Sequence, residues 1–113
     1  MNIDLKKKWV NALRSGKYKK GTGYLHKVDK SNHHKYCCLG VLCEVAGIPK
    51  GNKSQMSGSS VIGYKYTTDG RNLTEALCSK FDLLTSFVNA LIKLNDKRHK
   101  SFEYIAGYIE KEP

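Results

Sequence analysis

With 113 residues, 40% of them hydrophobic, the chain fits one domain, residues 1–113, with an ordinary core, which excludes disorder throughout and leaves no room for a second domain. No run of about 18 apolar residues is present, so no membrane span is expected. Of the net charge of +10, residues 1–36 hold +8 (ten Lys/Arg against two Asp), and residues 73–113 hold none. Such a localised basic field attracts the phosphates of nucleotides or nucleic acid, or an acidic protein; the plain alternative is a solvated lysine-rich face.

Leu5, Trp9, Ala12 and Leu13 follow the spacing of a buried helix face, with Asp4 near the start and Ser15-Gly16 as the stop. Trp9 belongs to the core on this pattern. Residues 17–23 are basic and glycine-interrupted and read as a loop. Tyr24–Val28 alternates like a short strand, Asp29–Asn32 has turn chemistry, and His33–Cys37 returns as the second strand of a hairpin. Leu39, Leu42, Cys43 and Ala46 mark a second helix, ended by Gly47 and Pro49. Val41 and Val45 make it apolar on most sides, so it is expected at the centre of the core.

Residues 50–60 are rich in Gly, Ser, Asn and Lys and read as a flexible loop. Val61–Tyr66 reads as a strand and Thr68–Arg71 as a tight turn. Asn72-x-x-Glu75 is the pattern of a capping box, predicting a helix through Leu77 to Phe81. Thr85 opens another, with Phe87, Val88, Leu91 and Ile92 facing in, and Asn95–Lys100 is the break. Ser101 caps a last helix with Phe102, Ile105, Ala106 and Ile109 inward. The sum is an α+β fold of about five helices around a small antiparallel β-sheet.

Cys37, Cys38 and Cys43 lie in an apolar string, and Cys78 lies on a helix, so all four read as core thiols of a reducing cytosol. His33 and His34 stand close enough in sequence for zinc ligation with them, or for activating a cysteine. The missing second ligand pair and the apolar setting favour structural thiols, so neither a metal nor another cofactor is expected. Glu103 and Glu110 read as solvated, and no carboxylate pair has the separation of an acid/base couple. Met1–Lys8 lacks an apolar stretch after its charges, which predicts no secretory signal and a cytoplasmic protein.

The strongest functional signal is the stretch in which Arg14, Lys17, Lys19 and Lys20 surround Gly16, Gly21 and Gly23, with Tyr18 and Tyr24 interleaved and Arg71 added from the later turn. Glycines let a backbone approach an anion, lysines neutralise phosphate, and an aromatic face can stack on a base. The order of a Walker A loop is absent. Tyr104 and Tyr108, at i and i+4 on the last helix, form a stripe suited to a subunit interface.

The string Trp9-x-x-Ala12-Leu13-Arg14-Ser15-Gly16-x-Tyr18-x-x-Gly21-x-Gly23-x-Leu25 is similar to the opening of a family of small proteins encoded by tailed bacteriophages. The resemblance continues in Cys37–Cys43 and in Leu94-Asn95-Asp96, Ser101-Phe102, Ile105-Ala106 and Ile109-Glu110. Residues 48–90 fall outside it, and the chain departs from it at Lys97–Lys100, where the family has a short turn with a glycine. The resemblance implies a phage protein working in the host bacterial cytoplasm, and it brings no catalytic residues. The expectation is a non-enzymatic, homo-oligomeric counter-defence sponge for a small phosphorylated ligand of the cyclic nucleotide class. The alternative is an accessory protein that binds nucleic acid or a host protein through its basic N-terminal third; an enzyme ranks last.

Overall fold

The computed structural model describes residues 1–28, 31–48, 53–55, 62–64 and 75–112. Five α-helices and a four-stranded antiparallel sheet are present among them, an α+β arrangement. The first helix, α1, spans Ile3–Arg14 and begins at Asn2, whose side chain accepts from the Asp4 and Leu5 amides at 2.9 and 3.0 Å. Trp9, Val10 and Leu13 are its buried residues, and Gly16, at φ +76°, turns the chain away after it.

Strands β1 (His26–Val28) and β2 (His34–Tyr36) form the expected hairpin, pairing His26 with Tyr36, Lys27 with Lys35 and Val28 with His34. Strand β3 (Lys53–Gln55) lies in the stretch read as a loop; the rest of that stretch falls outside the described residues. It pairs with β4 (Ile62–Tyr64), and the sheet order is β2-β1-β4-β3. Lys53-Ser54-Gln55 has no apolar alternation to announce a strand, so the ladder to β4 supplies what its sequence does not.

Helix α2 (Cys38–Val45) is the centre of the core, with every residue from Cys38 to Cys43 buried. Cys37 caps it, its sulfur accepting from the Gly40 amide. A Cβ on Gly40 would fall 1.7 Å from the Leu25 carbonyl oxygen, so glycine is what lets the helix lie directly on the backbone just before β1. The Trp9 indole donates to the Cys38 carbonyl at 2.8 Å, joining α1 to the start of α2.

The C-terminal part contains α3 (Glu75–Phe81), α4 (Thr85–Ile92) and α5 (Phe102–Lys111). Ser101 caps α5 through the Tyr104 amide, and Phe102, Ile105, Ala106 and Ile109 are buried as their spacing requires. The expected break at Asn95 is corrected: α4 runs on into a π-helical turn, Lys93–Lys97, and the break comes at Arg98–Lys100. That wide turn carries both Leu94 and Asn95 into the interior. The tyrosine stripe is also corrected. Tyr108 stacks on Phe87, centroids 5.9 Å apart, and is half-buried; Tyr104 is exposed beneath the Lys100 ammonium.

Candidate anion-binding site

Arg14 does not join the phosphate cluster expected of it. Its guanidinium grips Glu110 with two bonds of 2.9 and 3.0 Å, and its Nε lies 3.4 Å from Glu103. The hydrogen bond from Arg14 holds the Glu110 carboxyl below its ordinary range. Glu103 and Glu110, read as merely solvated, are thus the partners that tie α1 to α5.

The loop that follows is built onto the outer edge of β2. Tyr36 N–H donates to the Lys19 carbonyl at 2.8 Å, and Gly21 N–H donates to the Tyr36 carbonyl at 2.7 Å. Tyr18 meets Tyr36 edge-on at 5.0 Å, and the exposed Lys17 ammonium lies 5.6 Å from the Tyr18 ring. Lys19 is exposed, Tyr24 is half-buried, and Gly23 takes a φ of +83° on the surface. Arg71 lies outside the described residues.

A different set of lysines converges on Gly21. Lys27 and Lys35 stand directly opposite each other on β1 and β2. A Cβ on Gly21 would meet Lys35 Cβ at 2.7 Å and Lys27 Cε at 3.1 Å, so both lysine stems cross this glycine. Lys27 donates to the Thr22 carbonyl at 2.9 Å, and Lys20 donates to the Asn95 carbonyl at 2.8 Å. Burial lowers the pKa of the Lys27 ammonium; Lys35 and Lys20 lower it further, while Asp96 opposes them. Like charges directly across a ladder are unfavourable, and an anion placed between them relieves the repulsion.

Asn95 organises this corner. It is fully buried. Its Oδ1 accepts from the Cys38 amide at 3.2 Å, and its Nδ2 donates to the Gly21 carbonyl at 2.9 Å and to Asp96 Oδ1 at 2.7 Å. One side chain therefore fixes the start of α2, the lysine loop and the Asp96 carboxylate. Of the expected site residues, Lys20 and Gly21 meet here. Lys27, Lys35, Asn95 and Asp96 were missed. Hairpin register alone would have put Lys27 opposite Lys35, whereas no sequence signal marks Asn95 as buried.

Cys37, Cys38 and Cys43 lie along α2 and its cap, next to the hairpin that carries His26 and His34. Burial pushes the Cys37 and Cys43 thiols up to about 12 and the Cys38 thiol up as well, away from the reactive thiolate. His34 Nδ1 is 2.8 Å from Nε2 of the buried His26, which stacks on Tyr36. Among the described residues, no group of three or more His, Cys, Asp or Glu is placed to hold a metal ion. An apolar cavity of about 210 Å³ lies elsewhere, lined by Ile3, Trp9, Leu83, Phe87 and Ile109 among others. No described helix is long and apolar enough to cross a membrane.

Residues 1–76 match the model of a family described as a domain of unknown function (DUF8296), and the chain belongs to that family. No curated protein and no solved structure matches the chain. The matched stretch includes Lys20, Gly21, Lys27 and Lys35; Asn95 and Asp96 come from beyond it.

Proposed function

We propose that this member of the family is a non-enzymatic binding protein that takes a phosphorylated ligand on Lys20, Lys27 and Lys35. The single observation that carries the reading is the opposed pair Lys27–Lys35 over Gly21, a juxtaposition of like charges that a bound anion would relieve. The motif resemblance to tailed-phage proteins supports a role in the host cytoplasm, as a counter-defence sponge that sequesters a cyclic nucleotide signal. A homo-oligomer fits this role, because a chain of this size gains an enclosed site by sharing one between subunits.

The test is recovery of ligand. Purified protein is incubated with a panel of cyclic di- and trinucleotides and cyclic ADP-ribose isomers, separated, heated, and the released material chromatographed. Intact compound released from wild type and not from the Lys27→Ala/Lys35→Ala variant supports the reading. Altered compound makes the protein an enzyme, and a panel left entirely in the free fraction removes the sponge.

A second reading, nucleic-acid binding, is favoured by the position of Lys27 and Lys35 on adjacent strands of the sheet rather than in the apolar cavity. It requires affinity to fall steeply with salt as counterions are released, whereas a pocketed small ligand resists moderate salt.

A further inference from the structure

We infer that Asp96 makes the lysine site selective for phosphodiesters over terminal phosphomonoesters, an inference that rests on the site proposed above. The Asp96 carboxylate is held at the site rather than released to solvent, because Asn95 Nδ2 binds it and the Gly21 carbonyl with the same amide group. It is only partly exposed, and it is near enough to Lys27 to favour that ammonium. Lys20 is anchored to the same residue, through the Asn95 carbonyl. Lys27 thus has a resident carboxylate in its vicinity, fixed there by Asn95.

The two kinds of phosphate differ in what they bring to such a site. A diester carries one negative charge and two non-bridging oxygens. A terminal monoester carries close to two charges at neutral pH, concentrated on three oxygens. Set beside a fixed carboxylate, the second charge is repelled at short range, and that repulsion is stronger at a half-buried site than in water. Diester phosphate occurs in cyclic dinucleotides and in nucleic-acid backbones alike, so the selectivity is one of phosphate chemistry and not of a single compound.

The experiment compares matched probes by calorimetry on the full chain: cyclic di-adenylate, the linear dinucleotide with a 5′-terminal phosphate, and a single-stranded oligonucleotide without terminal phosphates. Wild type should prefer the cyclic over the linear dinucleotide by roughly tenfold, and Asp96→Asn should erase that preference by strengthening the linear one. The asparagine keeps an oxygen for the Asn95 amide, and an unchanged melting temperature verifies the fold. A cyclic-to-linear ratio that stays the same in Asp96→Asn overturns the inference. Lys27→Ala separates the two levels: if it weakens every probe while the Asp96→Asn ratio is unmoved, the site stands and the selectivity falls. If Lys27→Ala changes none, or no probe binds wild type, the site falls and takes the selectivity with it. Tight binding of the oligonucleotide but not the cyclic dinucleotide identifies the diester source as nucleic acid; the reverse identifies a small signal.

Discussion

The side-chain amide of Asn95 donates to the Gly21 carbonyl at 2.9 Å, joining two residues 74 positions apart in the chain. Replacing Asn95 with Ala would leave the Gly21 carbonyl and the Cys38 amide without the partner they now have. Unmet buried groups of this kind cost about 1–3 kcal/mol each, so Asn95→Ala should lower stability by roughly 3 kcal/mol. The midpoint of urea denaturation measures this, and a change under about 0.5 kcal/mol would show that the bond contributes little.

Two glycines should respond in opposite directions. At Gly40 an added methyl meets the Leu25 backbone, which has no flexible end to move aside, so Gly40→Ala should cost about 3 kcal/mol or more. At Gly107, inside α5, nothing lies within 4 Å of the added carbon. Gly107→Ala should therefore stabilise by about 0.5–1 kcal/mol through helix propensity. Thermal melts of the two variants side by side provide the comparison.

Arg14→Ala should leave the binding of phosphorylated ligands unchanged, because that guanidinium is engaged with Glu110 and Glu103. Its effect should appear on Glu110, whose carboxyl returns toward its ordinary value once Arg14 is gone. With a depressed folded pKa, the contribution of Glu110 is present above the unfolded value and lost as pH falls through the folded one. NMR titration of Glu110 in both proteins tests this; weakened ligand binding in Arg14→Ala would restore Arg14 to the site.

Lys35→Ala should raise the Lys27 pKa, because Lys35 is one of the neighbours that lower it, after burial itself. In the folded wild type the charged form of Lys27 is the disfavoured one. Its unfavourable contribution is therefore full at neutral pH and relieved as pH rises through the lowered pKa toward the ordinary lysine value. If nucleic acid is the ligand, each of Lys27→Ala and Lys35→Ala should also reduce the salt slope of binding by about one.

Alkylation should discriminate among the cysteines. With thiols pushed up to about 12 by burial, Cys37 and Cys43 stay protonated at pH 8, and both are buried. Iodoacetamide on the native protein should therefore label the half-buried Cys78 first. Peptide mapping that found Cys37 labelled at the denatured rate would contradict the burial of α2.

The helices were legible because their signals are local. Ser101 caps within three residues of itself, Ser15-Gly16 stops α1, and the inward faces of α1 and α5 repeat at helical spacing. The hairpin was legible from Asp29–Asn32 and the flanking alternation, although its register was not used to pair Lys27 with Lys35. The site was read less well. Arg14 looked available in sequence because the carboxylate that holds it lies 96 residues away. Asn95 looked like part of a polar break because nothing in Asn95–Lys100 announces a π-helical turn.

By itself, then, the sequence determined the α+β class, the buried α2 with its cysteine string, the Ser101 cap of α5 and the concentration of positive charge in the first third. These follow from residue type and short-range periodicity, which act wherever the chain goes. Tertiary structure alone decided which positive charges are committed and which converge. Arg14 is committed to Glu110, and Lys20, Lys27 and Lys35 gather at Gly21 beside the Asp96 that Asn95 holds. The physical reason is that electrostatic partnership depends on distance in space, and these partners are brought together only when α5 packs on α1 and the π-helical turn reaches the loop.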